Sequence, residues 1–299
     1  MMEKAKLPKL MFAKDEFEKA EEQALESLRQ SPAVYQAIKA LGLTKGQVKQ
    51  FIGPLLDLKE DRDYCARCPG LAQCKKENPH FVLSLSLDGG FMDRHFDPCP
   101  KALEQEKREK RYLERDFPKE WMGEDLFQVD RSDQRAEALI EMSKILQGES
   151  KRWLYLIGGK RSGKSILLAS FCNTYADTVA SPVAYLSSSA FLEEMKSLSF
   201  SDKSAFEAKM ASYQTCPLLV LDALGEEYVS EYNFSSFLFP LLLSRGRSGL
   251  LTCFSSSLKI DEICSLYAPK IGPIRAKQMR EFLKDSCQKE IDVGPGGIY

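Results

Sequence analysis

Residues Gly158–Ser165 read GGKRSGKS, a G-x4-G-K-S pattern that follows the apolar run WLYLI and precedes the helix-forming run ILLASFCNTYA. Glycines at this spacing let the backbone curl until successive N–H groups face one phosphate. The lysine adds positive charge against the terminal phosphates, and the serine hydroxyl ligates magnesium. A helix starting at the loop contributes the positive end of its dipole. The expected cradle for a nucleotide phosphate chain is therefore Gly158, Gly159, Lys160, Arg161, Ser162, Gly163, Lys164, Ser165 and Ile166.

Outward from this loop, short apolar runs alternate with longer amphipathic ones: WLYLIG then ILLASFCNTYA, VAYLSS then AFLEEMKSL, PLLVLD then FSSFLFPLLLSR, LLTCFSSS then IDEICSLYA. Alternation of this kind predicts an α/β domain with a parallel sheet flanked by helices. The run LLVLDALGEE (Leu218–Glu227) supplies the second half of a nucleotide site, because an apolar strand ending in Asp222 places a carboxylate beside the magnesium held by Ser165. Ala223 stands where a second acid usually handles the attacking water. Glu226 and Glu227 lie close by, but a shift of three or four residues along a loop rarely restores one water-positioning geometry. The expectation is that nucleotide binding is kept and turnover is slow, with Lys164, Asp222 and Glu226 as the candidate catalytic groups.

The chain has 299 residues, 43% hydrophobic and 28% charged, enough for two ordinary soluble domains. No apolar run is long enough to span a bilayer, and the N-terminal MMEKAKLPKLMFAKDEF lacks the uninterrupted apolar core of a secretory signal. A cytoplasmic location with no membrane partner is expected. A formal net charge of −1 gives no global signal for nucleic acid, so any basic surface is local. Helical periodicity over residues 15–60, with Ser31-Pro32 as a start signal, predicts a small helical unit. KALEQEKREKRYLERD alternates charges with few apolar anchors and reads as a solvated helix or linker arm. The DVGPGGIY tail reads as loose.

Four of the nine cysteines lie between Cys65 and Cys99, in DYCARCPGLAQC and DPCP. Thiolates clustered this way in a reducing compartment bind zinc, which takes four S or N ligands. Cys65, Cys68, Cys74 and Cys99 are favoured, and His80 competes for one of the four places. His95 reads as a surface or core histidine. Cys172, Cys216, Cys253, Cys264 and Cys287 sit in or beside apolar runs and read as small core residues.

A helical N-terminus, a C-x2-C-x5-C cluster closed by a later Cys-Pro, a charged connector, an FQVD stretch (Phe127–Asp130) and a phosphate-loop domain, in this order, resemble the DnaI-type bacterial replicative helicase loaders. The resemblance implies three parts: a zinc-containing helicase-interaction domain over 1–105, a charged linker helix over 106–125, and an AAA+ P-loop ATPase domain over 126–299. It also implies ATP, Mg2+ and Zn2+ as cofactors, with the hexameric replicative DNA helicase and, conditionally, single-stranded DNA as partners. Asp130 falls in the stretch leading into the nucleotide pocket. Ser257 occupies the place of the polar sensor, usually Asn. An arginine finger toward a neighbouring copy has no clear place, with Arg275, Arg280 and Gln278 competing for the position, so self-association stays open. Arg245, Arg247, Lys270, Arg275, Lys277 and Arg280 form a candidate set of phosphate-pairing cations or an ordinary solvated face. The alternative function is a phosphate-loop phosphotransferase for a small molecule, for which no arginine-rich lid is visible. A zinc-type nucleic-acid binder is disfavoured by the scarcity of cations interleaved with aromatics between Cys65 and Cys99.

Overall fold

The structure, a computed structural model, describes residues 14–129, 133–287 and 289–295. The chain divides into two compact units between Glu104 and Gln105.

The first unit contains α1 (Lys14–Arg29), α2 (Pro32–Ala40), α3 (Lys45–Gln50), α4 (Ile52–Ala66), β1 (Phe81–Asp88) and β2 (Phe91–Pro98). Ser31 caps α2 by accepting from Val34 N, with Pro32 at the first helical position, and Thr44 and Gln47 form a capping box on α3. Leu28, Val34 and Leu55 make its small core, with Ile38, Val48, Ile52 and Leu85 packed on it. The antiparallel hairpin β1–β2 is an addition to the helical unit expected from periodicity. Its two-residue loop is Gly89-Gly90, both at positive φ (54° and 83°), the left-handed geometry that matches the twist of the strands.

The second unit is built on a six-stranded sheet. The helix α5 (Pro100–Glu109) covers only part of the charged connector, and Tyr112–Arg115 then forms β3 at the edge of that sheet. The expected linker over 106–125 thus ends as a helix at Glu109. Tyr112 and Phe117 are the apolar anchors that pull the following residues onto the core. The order is β3, β5 (Val183–Ser187), β6 (Leu218–Asp222), β7 (Leu251–Ser256), β4 (Leu154–Ile157) and β8 (Glu290–Asp292), with every neighbouring pair parallel. Strands buried on both faces read as continuous apolar runs, as LLVLD and WLYLI do. The helices between them are α6 (Asp133–Leu146), α7 (Lys164–Thr178), α8 (Ser188–Ser201), α9 (Lys203–Thr215), α10 (Glu231–Asn233), α11 (Phe239–Arg247), α12 (Ile260–Ile271) and α13 (Pro273–Cys287). The five late cysteines are all buried. Among the described residues, no helix is long and apolar enough to cross a membrane.

This topology fixes where chemistry can occur. In an open parallel sheet, ligands collect at the carboxyl ends of the strands. The loops leaving β4, β6 and β7 meet there.

Candidate nucleotide-binding site

The loop after β4 turns into α7 through Gly163, at φ 87°, and Arg161 is also left-handed at φ 61°. Gly158 is required by contact rather than by φ: a Cβ there would lie 2.8 Å from Gly294 O and 2.9 Å from Ser162 Oγ. The loop is held from two sides. Gly159 N donates to Gly294 O at 3.1 Å, and the buried Arg135 on α6 donates from Nη2 to Ser162 O at 3.3 Å. The tail that read as loose is therefore in place as far as it is described: Asp292 ends β8, Val293 is buried, and Gly294 supports the phosphate loop.

Lys164 Nζ donates to Gly158 O at 2.7 Å, Gly159 O at 2.8 Å and Ser162 Oγ at 3.3 Å, bridging the loop it belongs to. Partial burial holds its ammonium below the usual lysine range, against Asp222, Glu226 and Asp292, whose charges pull it upward. Ser165 Oγ donates to Asp222 Oδ1 at 3.0 Å, so the two expected magnesium ligands are adjacent. Tyr185 OH donates to Ser165 O at 3.0 Å and fixes the first turn of α7. Lys160 and Arg161 are exposed, while Ile166 is half-buried beside the loop.

At the end of β7 the geometry departs from expectation. Ser257 is exposed just beyond the strand. Ser255, one pleat earlier on the same side, donates to Asp222 and accepts from Ala223 N at 2.9 Å. Ser255 is thus the hydroxyl that touches the acid. The signal was present in FSSSL, but three consecutive serines left the register open. Ala223 itself sits at φ 61°. Glu226 is exposed and close enough to act electrostatically on Lys164. Glu227 is buried, accepting from Gly225 N at 2.7 Å and from Tyr267 OH on α12, so it braces the loop rather than facing the phosphates. Asp130 lies outside the described residues.

The residues that fit a nucleotide and its magnesium are therefore present together: a glycine cradle that a Cβ would fill, a lysine, and a hydroxyl–carboxylate pair. A cavity of about 500 Å³ opens in front of residues 161–166, with Trp121 as its aromatic wall. Trp121 escaped the sequence reading because it lies far upstream in a segment without periodicity.

The candidate cations also sort differently. Arg245 is fully buried and donates to Tyr213 O at 2.6 Å, Cys216 O at 2.9 Å and Thr252 Oγ1 at 3.0 Å, so it is a structural residue of the core and cannot meet a phosphate. Arg275 pairs with Glu231 and with Ser235 Oγ, and Arg280 pairs with Asp261. Arg247, Lys270, Lys277 and Gln278 are exposed.

In the first unit Cys65, Cys68, Cys74 and Cys99 are all half-buried free thiols. Cys74 and Cys99 both engage the backbone of His80: Cys99 N donates to His80 O at 2.7 Å, and the His80 N–H, with that of Lys76, holds the Cys74 thiol below its usual range. Among the described residues, no group of three or more His, Cys, Asp or Glu side chains is arranged to hold a metal. The zinc site expected at Cys65, Cys68, Cys74, Cys99 and His80 is not shown by this arrangement of side chains. Lys76, paired with the largely buried Asp61, brings its ammonium to 3.7 Å from Cys65 Sγ and 2.7 Å from Phe81 O. His80 Nε2 lies 3.1 Å from Leu71 O, turned toward the backbone.

No family model matches the chain. The replicative helicase loader DnaI of Bacillus subtilis (strain 168) is 25% identical over 229 residues, which is 72% of this chain and 71% of that protein. Among solved structures, that of DnaI aligns with TM-score 0.51 and 24% identity, covering 64% of this chain and 98% of the other. A putative primosome component from Streptococcus pyogenes serotype M3 aligns with TM-score 0.51 and 20% identity, covering 63% and 96%. The chain resembles the DnaI-type helicase loaders, and its parallel sheet flanked by helices has their fold.

Proposed function

We propose that the chain is a nucleotide-gated loader of the replicative DNA helicase. The observation that carries this reading is the joint presence of the Gly158–Ser165 loop, the Ser165–Asp222 pair and a likeness to DnaI that extends over 72% of the chain, well beyond the loop itself. The loop amides, Lys164 and Ser165 bind the phosphates, and Ser165 and Asp222 would hold the magnesium that offsets phosphate charge. Lys164 leaves its backbone partners Gly158 O and Gly159 O for phosphate oxygens, which changes how the loop rests on Gly294 and α6. Nucleotide occupancy is thereby coupled to the strand ends that carry Asp222 and Ser255.

Hydrolysis is slow on this account. Ala223 offers no carboxylate, and the exposed Glu226 is the candidate base, completed by a partner if at all. The first unit grips the helicase, and the second contacts single-stranded DNA through exposed cations such as Arg247, Lys270 and Lys277. A cytoplasmic location follows from the partners.

The test is size-exclusion chromatography of the full chain mixed with the replicative helicase, with and without Mg-ATP. Co-elution as a stable complex is expected. Separate elution under both conditions contradicts the reading.

A further inference from the structure

We infer that Trp121 is a nucleotide-binding residue, its indole stacking on the adenine of the nucleotide whose phosphates lie against residues 161–166. The inference rests on the nucleotide reading of that loop and adds the element that reads the base. Trp121 is half-buried and closes the cavity of about 500 Å³ that the phosphate loop lines on its other side. The loop side is lined by Arg161, Ser162, Gly163, Lys164, Ser165 and Ile166, and the lining as a whole is largely apolar, as a base requires. Among the described residues, Trp121 is the aromatic residue lining that cavity. A nucleotide has the same two-sided character, with a charged phosphate chain and a flat π-system.

The ring is held ready for this task. Its 3-10 turn, Lys119–Gly123, is pinned to α7 by Asn173, whose Nδ2 donates to Trp121 O at 2.7 Å and to Glu124 O at 2.9 Å. Thr174 Oγ1 accepts from Leu126 N at 3.1 Å one residue further along the helix. Phe117 lies near-parallel to the indole, at 6.4 Å between centroids and 19° between planes, which supports the plane of the ring. Asn173 follows Ile166 by two helical turns on the same face of α7, so the helix that presents the phosphate cradle also sets the position of the indole. A stacking surface anchored in this way loses little freedom when a base arrives.

The chain has two tryptophans, and the other, Trp153, is buried with its indole N–H donating to Leu250 O at 2.9 Å. Emission changes on nucleotide binding can therefore be assigned. The experiment titrates full-length wild type, Trp121→Ala and Trp121→Phe with Mg-ATP and with Mg-tripolyphosphate, reading calorimetric affinity and tryptophan emission, with thermal unfolding as a check on folding. The expected result is that Mg-ATP quenches wild-type emission and leaves Trp121→Phe emission unchanged. Trp121→Ala should weaken Mg-ATP about tenfold or more, as loss of a base–aromatic stack does, with tripolyphosphate affinity unaltered and Trp121→Phe recovering most of the ATP affinity. Equal ATP affinity in wild type and Trp121→Ala, or a parallel loss for ATP and tripolyphosphate, overturns the inference while leaving the phosphate site standing. Wild type that binds neither ligand overturns both.

Discussion

The Ser165 hydroxyl donates to Asp222 Oδ1 across 3.0 Å, tying the first turn of α7 to the end of β6. Both oxygens are hard donors of the kind magnesium prefers, so the pair would hold the ion and its water shell beside the phosphates. Asp222→Asn should weaken Mg-ATP binding while leaving ATP binding in EDTA nearly unchanged. Lys164→Ala, which removes a charge-assisted contact, should weaken both by about tenfold to a hundredfold. Calorimetry with and without magnesium separates them; equal effects of Asp222→Asn under both conditions would remove Asp222 from the metal site.

Ala223 occupies the left-handed region at φ 61°, where a Cβ is strained and Gly, Asn or Asp is better tolerated. Ala223→Gly should raise stability by about 1 kcal/mol, and Ala223→Asp should fold at least as well as wild type. If the missing acid is what slows turnover, Ala223→Asp should also raise the hydrolysis rate with ATP affinity nearly constant. Urea unfolding and steady-state ATPase assays read the two effects; a destabilised Ala223→Gly would show that the turn is not strained.

Burial raises the Glu227 carboxyl above its ordinary value of 4.5, while hydrogen bonds from Tyr267 and from the Glu227 and Gly225 amides pull it down. A raised carboxyl keeps its proton in the folded state after the unfolded chain has lost it. Its contribution is therefore complete below about pH 4.5 and is lost as pH rises through the folded value. The stability of wild type relative to Glu227→Gln should fall as the pH rises above about 4.5. A difference that stays flat above that pH would contradict the assignment.

Arg245, enclosed at 0% exposure, spends its guanidinium on the carbonyls of Tyr213, Cys216 and Leu251 and on Thr252 Oγ1. Arg245→Ala leaves those acceptors unsatisfied in the core and should cost about 3 kcal/mol or more. Exposed Arg247→Ala should leave the unfolding midpoint nearly unchanged. If the exposed cations contact single-stranded DNA, Arg247→Ala and Lys270→Ala should weaken binding and lower its salt dependence. Wild-type stability in Arg245→Ala would contradict the buried placement.

The local geometry of the loop was legible. GGKRSGKS specifies its own turn, and PLLVLD specifies a buried strand ending in an acid, which brings Ser165 and Asp222 together. Register along a uniform run was not legible: in FSSSL, alternation alone could not say which serine faces Asp222, and the answer is Ser255. Contacts between distant segments were equally hidden. Gly294 under the loop, Trp121 across the cavity and Arg245 in the core depend on how the sheet brings remote residues together. The contact of Lys76 with Cys65, 3.7 Å from ammonium to Sγ, was hidden from the spacing in the same way.

The most direct measurement of the central claim is helicase loading itself. Purified replicative helicase is incubated with closed-circular single-stranded DNA and the full chain, and helicase retained on the circle after a salt wash is counted. The account predicts that loading requires the chain and Mg-ATP and falls at least tenfold with Lys164→Ala, whose lost phosphate contact is of that size. Loading that is the same with and without the chain, or the same for wild type and Lys164→Ala, would contradict it.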